Sequence, residues 1–356
     1  MPDKFKGSMK SKEFCLVSEK ELKRYNKNIE LHSFPLADGG EGSLDFFIET
    51  QKAKVIKRKF TNANFKKEIS RFALKNDVAF IELAETSGLY KTKIKNPRKT
   101  TTMGLGEQID CAIKLGAKKI YLSLGGSSTN DAGCGMAYSL GYRFLDKDGN
   151  SFIPTGETLN KIVKIKKPDF DFSKIEFISL CDVDNVLFGQ NGASYIYAKQ
   201  KGATTDDIVL LDENLQHFNN LTKKQGFDFS VIAGSGCAGG TGAGTIYFLN
   251  SKIQKGLSTL YNLADIEKYI TSADLIITGE GKIDKQSLCG KVVFELRKKC
   301  LNKNFVAFCG ENLLNKDDYD FKIIEVNNKS EDIEKSIKNT KRNFKLKLRE
   351  FLENLD

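Results

Sequence analysis

Two rhythms of apolar positions divide the chain. Short apolar runs bounded by polar turns predict strands over 29–34, 55–60, 68–74, 78–83, 120–124, 142–145, 175–180, 193–197, 273–278, 305–309 and 321–326. Apolar residues at helical spacing predict helices over 11–25, from Leu44 onward, and over 103–115, 132–140 and 205–225. Further helices are predicted at 246–249, from about Cys289, and over 331–355. The strands at 55–60, 68–74 and 78–83 follow one another too closely for parallel crossovers, so they are read as antiparallel. Elsewhere strands alternate with helices. The resulting fold class is α/β with two domains. A doubly wound domain is built from both termini (1–52 and 252–356), and a mixed-sheet α/β domain (53–251) is inserted into it.

The stretch that organises this pattern begins at the strand Ile120, Tyr121, Leu122 and Leu124. It changes at once to Gly125, Gly126, Ser127, Ser128, Thr129, Asn130 and Asp131, followed by small apolar residues. A strand, a Gly/Ser/Thr loop and a helix offer backbone N–H groups and a positive dipole end to an anion, and glycines let the ligand approach. Phosphate binding and a plain strand-to-helix turn capped by Asn130 or Asp131 both fit. The loop is not the common P-loop, because no Lys-Ser/Thr pair closes it. On the phosphate reading, a bulky residue at Gly126 abolishes turnover.

Composition narrows the classes. The chain has 356 residues, 40% of them hydrophobic and 29% charged, which fits a soluble globular protein. No apolar run reaches the length of a membrane helix, and Lys4, Lys6 and Lys10 are not followed by the apolar core of a signal peptide. The eight cysteines form no C-x-x-C pair, so a reduced, cytoplasmic chain is expected. His32 and His217 are the two histidines, which argues against His-based catalysis or metal binding. The net charge of +10 is scattered and lacks aromatic interleaving, so no nucleic-acid partner is expected. A positive field does favour anionic substrates.

Carboxylates gather where open α/β sheets bind ligands, at strand exits and Gly-rich turns: Asp3, Asp38, Glu41, Asp131, Asp182, Asp184, Glu280 and Asp284. Carboxylates there can hold Mg²⁺ or accept a hydroxyl proton. With Lys6, Lys201, Lys282 and Lys291 they point to phosphoryl transfer. The segment Gly234-Ser235-Gly236-Cys237-Ala238-Gly239 matches G-x-G-x-x-G, but lacks the strand and acidic partner of a dinucleotide site.

These pieces carry a resemblance. Pro2-Asp3-x-Phe5-Lys6-Gly7-Ser8, Ala37-Asp38-Gly39-Gly40-Glu41-Gly42 and Gly125-Gly126-Ser127-x-Thr129-Asn130-Asp131 stand in one order with Cys181-Asp182-Val183-Asp184-Asn185. Gln200-Lys201-Gly202-Ala203-Thr204, Gly239-Gly240-x-Gly242 and Thr278-Gly279-Glu280-Gly281-x-Ile283-Asp284 follow. In this order the chain resembles the type I glycerate kinase family. The resemblance implies ATP-dependent phosphorylation of D-glycerate with Mg²⁺, and one flavodoxin/Rossmann-like and one restriction-enzyme-like domain. On it, Asp38, Glu41, Asp182 and Lys6 are expected to be catalytic, with Asp38, Glu41, Asp182 and Asp284 facing one cleft. Residues 125–131 with Gly239 and Gly240 are expected to bind nucleotide phosphates. Ser8, Arg98, Glu280, Asp284 and Lys291 are expected to bind substrate, and Asp182 and Asp184 the metal. No membrane partner is expected, and a homo-oligomer is left open. Two departures stand out: Lys4 replaces the family's usual Ser, and only Met1 occupies the place of an apolar first strand. An upstream extension of about eight residues is therefore expected to raise stability and activity. The alternative reading is an impaired or truncated relative that binds nucleotide or a small hydroxy acid.

Overall fold

The computed structural model describes residues 1–356 except Lys4, Lys6, Gly7, Ala37, Asp38, Gln286, Gly290, 328–331 and Asp356, and except the side chains of Cys289 and Ile333. In chain order its elements are α1 (Ser11–Tyr25), α2 (Ser43–Gln51), β1 (Lys54–Thr61), β2 (Lys67–Lys75), β3 (Val78–Glu82), α3 (Ala84–Ser87), α4 (Met103–Lys114) and β4 (Lys119–Ser123). Next come α5 (Cys134–Ser139), β5 (Arg143–Leu145), β6 (Ser151–Phe152), β7 (Lys164–Lys166), β8 (Glu176–Leu180), α6 (Ala193–Tyr197), α7 (Thr205–Lys223), α8 (Cys237–Leu249) and β9 (Lys252–Gln254). The chain closes with α9 (Gly256–Leu263), α10 (Ile266–Ser272), β10 (Leu275–Ile283), α11 (Val292–Lys299), β11 (Asn304–Asn312), β12 (Lys322–Glu325) and α12 (Ile333–Glu353).

Contacts divide the chain into two compact units, Met1–Asp38 with Leu260–Asp356, and Gly39–Thr259. Thus α2 and β9, which the sequence pattern groups with the termini, lie in the larger unit.

The larger unit is built on a six-stranded mixed sheet in the order β1-β2-β3-β4-β8-β9. β1, β2 and β3 pair antiparallel, as their close spacing requires, and β3, β4, β8 and β9 pair parallel. The inner parallel strands β3, β4 and β8 are apolar at their centres, where both faces are covered. Ile120, Leu122 and Phe177 pack with Leu105 and Ile109 of α4 and with Phe218 of α7. A small antiparallel sheet, β6-β5-β7, stands apart and is held in part by the Tyr142 hydroxyl donating to the Phe248 carbonyl at 2.7 Å.

The terminal unit carries a parallel sheet, β10-β11-β12. Phe14 of α1 and Phe344 of α12 stack at 4.0 Å between ring centroids, with Phe308 of β11 edge-on to Phe344 at 5.1 Å. The place where a first strand was expected is occupied by residues 1–3. The Met1 amine donates to the Ile277 carbonyl (2.7 Å), the Asp3 N–H to the Gly279 carbonyl (2.8 Å), and Thr278 Oγ1 to the Met1 carbonyl (2.8 Å). The chain start thereby satisfies backbone groups of β10.

Several expectations are corrected. Residues 29–34 form no strand, and 193–197 form α6, because Ala193 and Ser194 turn into the core at the start of a helical segment. The helix expected from Ala132 begins at Cys134, since Ala132 and Gly133 both take left-handed backbone (φ 51° and 71°). β10 runs on through Glu280 to Ile283, paired with β11, instead of ending at Thr278. Of the apolar side chains of α1, Phe14 is fully buried and Val17 packs partly against the core, whereas Leu16 is 54% exposed.

The aromatic stack makes Phe344 the packing centre of the terminal unit. Phe344→Ala is expected to cost about 3–5 kcal/mol, read as a lower urea midpoint, while Leu346→Ala on the exposed side changes it by less than about 0.5 kcal/mol.

Candidate active site

In the larger unit the chemistry collects at the carboxyl ends of β3, β4, β8 and β9, where a parallel sheet opens to ligands. Four glycines make that packing feasible. A Cβ on Gly125 would lie 2.5 Å from Gly40 Cα, and one on Gly256 would lie 2.4 Å from Gly39 Cα. Ser123 Oγ, at the end of β4, donates to the Gly39 carbonyl. The start of the acidic turn, Gly39-Gly40, is thus clamped between the loop after β4 and the start of α9.

The 125–131 loop is mostly buried. Gly126 is exposed and Gly125 partly so, whereas Ser127, Ser128, Thr129, Asn130 and Asp131 are covered. Ser128 donates to the Ser87 carbonyl (2.9 Å) and accepts from Thr92 Oγ1 (2.8 Å), and its carbonyl accepts from Thr100 Oγ1 (2.9 Å). Asp131 Oδ2 accepts from the Thr102 N–H (2.8 Å), the Thr102 hydroxyl (2.9 Å) and the Gly135 N–H (3.3 Å). Its other oxygen takes the Gly133 N–H at 3.3 Å. The amino end of the six-residue α5 is therefore filled by the loop's own carboxylate, and the dipole argument for an anion there does not hold. Burial pushes the Asp131 carboxyl above its ordinary range. Gly239 and Gly240 lie behind the loop: the Gly239 carbonyl accepts from the Ala132 N–H (3.1 Å), and a Cβ on Gly239 would meet the Thr129 carbonyl at 2.0 Å. Their structural task is close packing.

Lys201 completes this loop. It is 2% exposed, and its Nζ donates to Ser127 Oγ (3.0 Å) and to the Thr129 carbonyl (2.7 Å). Burial lowers its ammonium to about 8. Thr129 Oγ1 and Asn130 Oδ1, also buried, have no hydrogen-bond partner.

The other carboxylates of the larger unit are engaged. Asp182 accepts from the Gly256 N–H (2.9 Å) and the Leu257 N–H (3.3 Å), capping α9. Asp184 is 75% exposed and pairs with Lys255 at 2.6 Å. Among the described residues no three His, Cys, Asp or Glu side chains group as a metal site. Arg98 is bound to Glu157 (3.1 Å) and Asp207 (2.9 Å), which spends its guanidinium on the capping region of α7 instead of on a substrate. Glu41 sits in the turn before α2. Glu82, which the sequence pattern did not single out, is buried and accepts from the Gly42 (3.2 Å) and Leu44 (3.0 Å) N–H groups. Burial pushes it up to about 8.

In the terminal unit three expected substrate residues come together. Lys291 Nζ lies 3.7 Å from Glu280 Oε2, 3.7 Å from Asp284 Oδ1 and 3.2 Å from Ser287 Oγ. Glu280 is 3% exposed, and its Oε1 has no hydrogen-bond partner. Burial raises its pKa despite Lys291. Ser8 closes the turn after Asp3 by donating to the Phe5 carbonyl (3.2 Å). Lys6 and Asp38 lie outside the described residues.

A buried ammonium beneath a Gly/Ser/Thr loop and a buried carboxylate with a spare oxygen are the equipment of a group-transfer enzyme. Residues 1–355 match the model of the glycerate kinase family. The chain belongs to the glycerate kinase family. A glycerate kinase of Bacillus cereus is 39% identical over 297 residues, 81% of this chain and 78% of the relative. A glycerate 2-kinase of Escherichia coli K12 is 36% identical over 298 residues, 82% and 78% of the two chains. The crystal structure of a Salmonella typhimurium LT2 protein assigned as glycerate kinase 2 superposes with a TM-score of 0.84 at 30% identity, covering 99% of this chain and 96% of that one. Family membership makes the chain a kinase, with ATP as its implied phosphoryl donor. Among the described residues no helix is long and apolar enough to cross a membrane.

Two outcomes follow from the geometry. Gly125→Ala drives a methyl into Gly40, whereas Gly126→Ala meets only Ala84 Cβ at 3.8 Å but strains a left-handed backbone (φ 77°); both are expected to cut turnover, Gly125→Ala the more, and kcat/KM of the two variants decides. Glu82 keeps its proton in the native state up to about pH 8, whereas the ordinary value is 4.5. Between those values the unfolded chain binds fewer protons, so the contribution of Glu82 to stability falls as pH rises through that window. Glu82→Gln retains the acceptor oxygen and is expected to flatten the decline; an unchanged slope in urea titrations at pH 5 to 8.5 would count against a protonated Glu82.

Proposed function

We propose that this chain transfers the γ-phosphoryl group of ATP to a hydroxyl of D-glycerate, releasing ADP and a phosphoglycerate. The observation that carries the reading is the match of residues 1–355 to the glycerate kinase family. The chemistry of the two units agrees with it. In the larger unit, exposed Gly126 leaves room for a tetrahedral anion, and Ser127 with Lys201 supplies donors of the right charge. In the terminal unit, Glu280 Oε1 is free to accept the hydroxyl of glycerate, and Lys291 is available to its carboxylate. A buried carboxyl with a raised pKa is suited to taking a proton near neutral pH. Glu280 is therefore the general base of this reading, in preference to Asp182, whose oxygens cap α9. Mg²⁺ enters with the phosphates of ATP, as is usual where the protein lacks an all-protein cage. A cytoplasmic location accords with thiols that lie buried outside any disulfide at Cys111, Cys134, Cys181, Cys237 and Cys300.

The test is D-glycerate-dependent ADP release, with phosphorus NMR of the product to distinguish the 2- from the 3-phosphate. Glu280→Gln is expected to lower kcat by roughly 10²- to 10⁴-fold and to leave ATP affinity unaltered. ATP binding without D-glycerate turnover in the unaltered chain would leave a binding protein in place of a kinase acting on glycerate.

A further inference from the structure

Lys201 is buried without a carboxylate at ion-pair distance among the described residues. Its two acceptors, Ser127 Oγ and the Thr129 carbonyl, are neutral. Removing an ammonium from water costs several kcal/mol that neutral acceptors recover only in part. A neutral side chain could brace the loop without that cost. The ionisable groups that face Lys201 are Asp131 on the loop and the Cys237 thiol at the start of α8, with Cys181 beside Cys237. The Cys237 thiol is held neutral by burial and by its contact with Cys181.

The acceptor Ser127 has a consequence for the open side of the loop. Its oxygen takes a hydrogen bond from the ammonium, so its own hydrogen must find another acceptor. No described residue accepts it at hydrogen-bonding distance. Ser127 adjoins Gly126, the exposed point of the loop. We propose that Lys201 is a positioning residue that polarises the Ser127 hydroxyl to donate to a phosphoryl oxygen of the bound nucleotide. The inference rests on the kinase reading above and adds the residue that charges its phosphate loop. Lys201 acts through Ser127 and does not touch the nucleotide. The ligand is a phosphoryl group and not the glycerate carboxylate, because the donor adjoins Gly126, an exposed glycine at which a Cβ would meet only Ala84 Cβ within 4 Å, which leaves space for a bulky tetrahedral anion.

The experiment compares Lys201→Met, Lys201→Arg and Ser127→Ala in the full chain, measuring calorimetric affinity for ATP, ADP and adenosine and the KM for D-glycerate. Lys201→Met is expected to weaken ATP and ADP on the order of 10- to 100-fold and to leave adenosine unchanged. In the unaltered chain ATP affinity falls as pH rises through about 8, where Lys201 loses its charge. That alkaline limb is expected to vanish in Lys201→Met, and Lys201→Arg to restore most affinity without it. Equal losses for adenosine and ATP, or a change confined to the KM for glycerate, would overturn the proposal. Should Lys201→Met fail to fold, Ser127→Ala decides: loss of phosphate-dependent affinity together with the alkaline limb supports the relay, and retention of both refutes it. ATP affinity is read without turnover, so an inactive chain that binds ATP would sink the kinase reading and leave this inference standing.

Discussion

The larger unit depends on one constraint: a loop of small polar residues is buried, so nearly every donor and acceptor in it must be met from within the protein. The loop meets this by recruiting the segments around it. Ser87, Thr92, Thr100 and Thr102 all bond to residues 128–131, which ties the connections after β3 and before α4 to the end of β4. Gly239 brings the kinked start of α8 against the same residues, where any side chain would strike the Thr129 carbonyl. The loop is thereby held on three sides, and its open side is reduced to Gly126, with Gly125 partly exposed and Ser127 just beneath. A phosphate site of this kind derives its order from packed hydroxyls and glycines, with the positive end of a long helix playing no part.

Burial then sorts the charges. Glu82, Asp131 and Lys201 lie deep in this unit, and desolvation shifts each toward its neutral form. Glu82 and Asp131 have their oxygens filled by backbone N–H groups at the starts of α2 and α5, which gives them structural work. Among the described residues Lys201 has no carboxylate at ion-pair distance, and Glu280 in the terminal unit keeps an unfilled oxygen. Those two groups retain unspent interaction energy, which is what a ligand can use.

The sequence made much of this legible, for reasons that differ by element. The antiparallel trio β1, β2 and β3 could be read because turns of a few residues forbid crossovers, and β4 and β10 because buried parallel strands are unbroken apolar runs. The segment 193–197 could not: a five-residue run ending in Tyr, Ile and Tyr has strand composition, and only its tertiary surroundings make it α6. Glu280 and Asp284 carry the signal of a Gly-rich strand exit and Lys291 that of a turn-rich stretch, and the structure brings the three side chains together. Arg98, Asp182 and Asp184 carried the same kind of signal and turn out to be occupied by Asp207, α9 and Lys255. Sequence context identifies residues near strand ends, but not which neighbours have already used them. Glu82 stands at the exit of β3, but nothing in the sequence around it marks that its carboxylate is buried against the start of α2.

This difference in commitment also separates the candidate charges chemically. A carboxylate whose oxygens cap a helix has its lone pairs occupied by N–H donors, so it has little left to accept a substrate hydroxyl. Asp182 is in that position. Glu280 lies instead in a strand whose backbone groups are spent on β11, and it receives an ammonium on one oxygen while the other is bare. Accepting a hydroxyl on the bare oxygen repairs a buried, unsatisfied atom, so binding the acceptor and preparing its deprotonation draw on the same interaction. The Lys201–Ser127 pair works in the opposite sense, since a buried positive charge is best compensated by an incoming anion. Each unit thus contains one group whose burial is costly until its ligand arrives, of the sign that an alcohol acceptor and a phosphoryl donor respectively require.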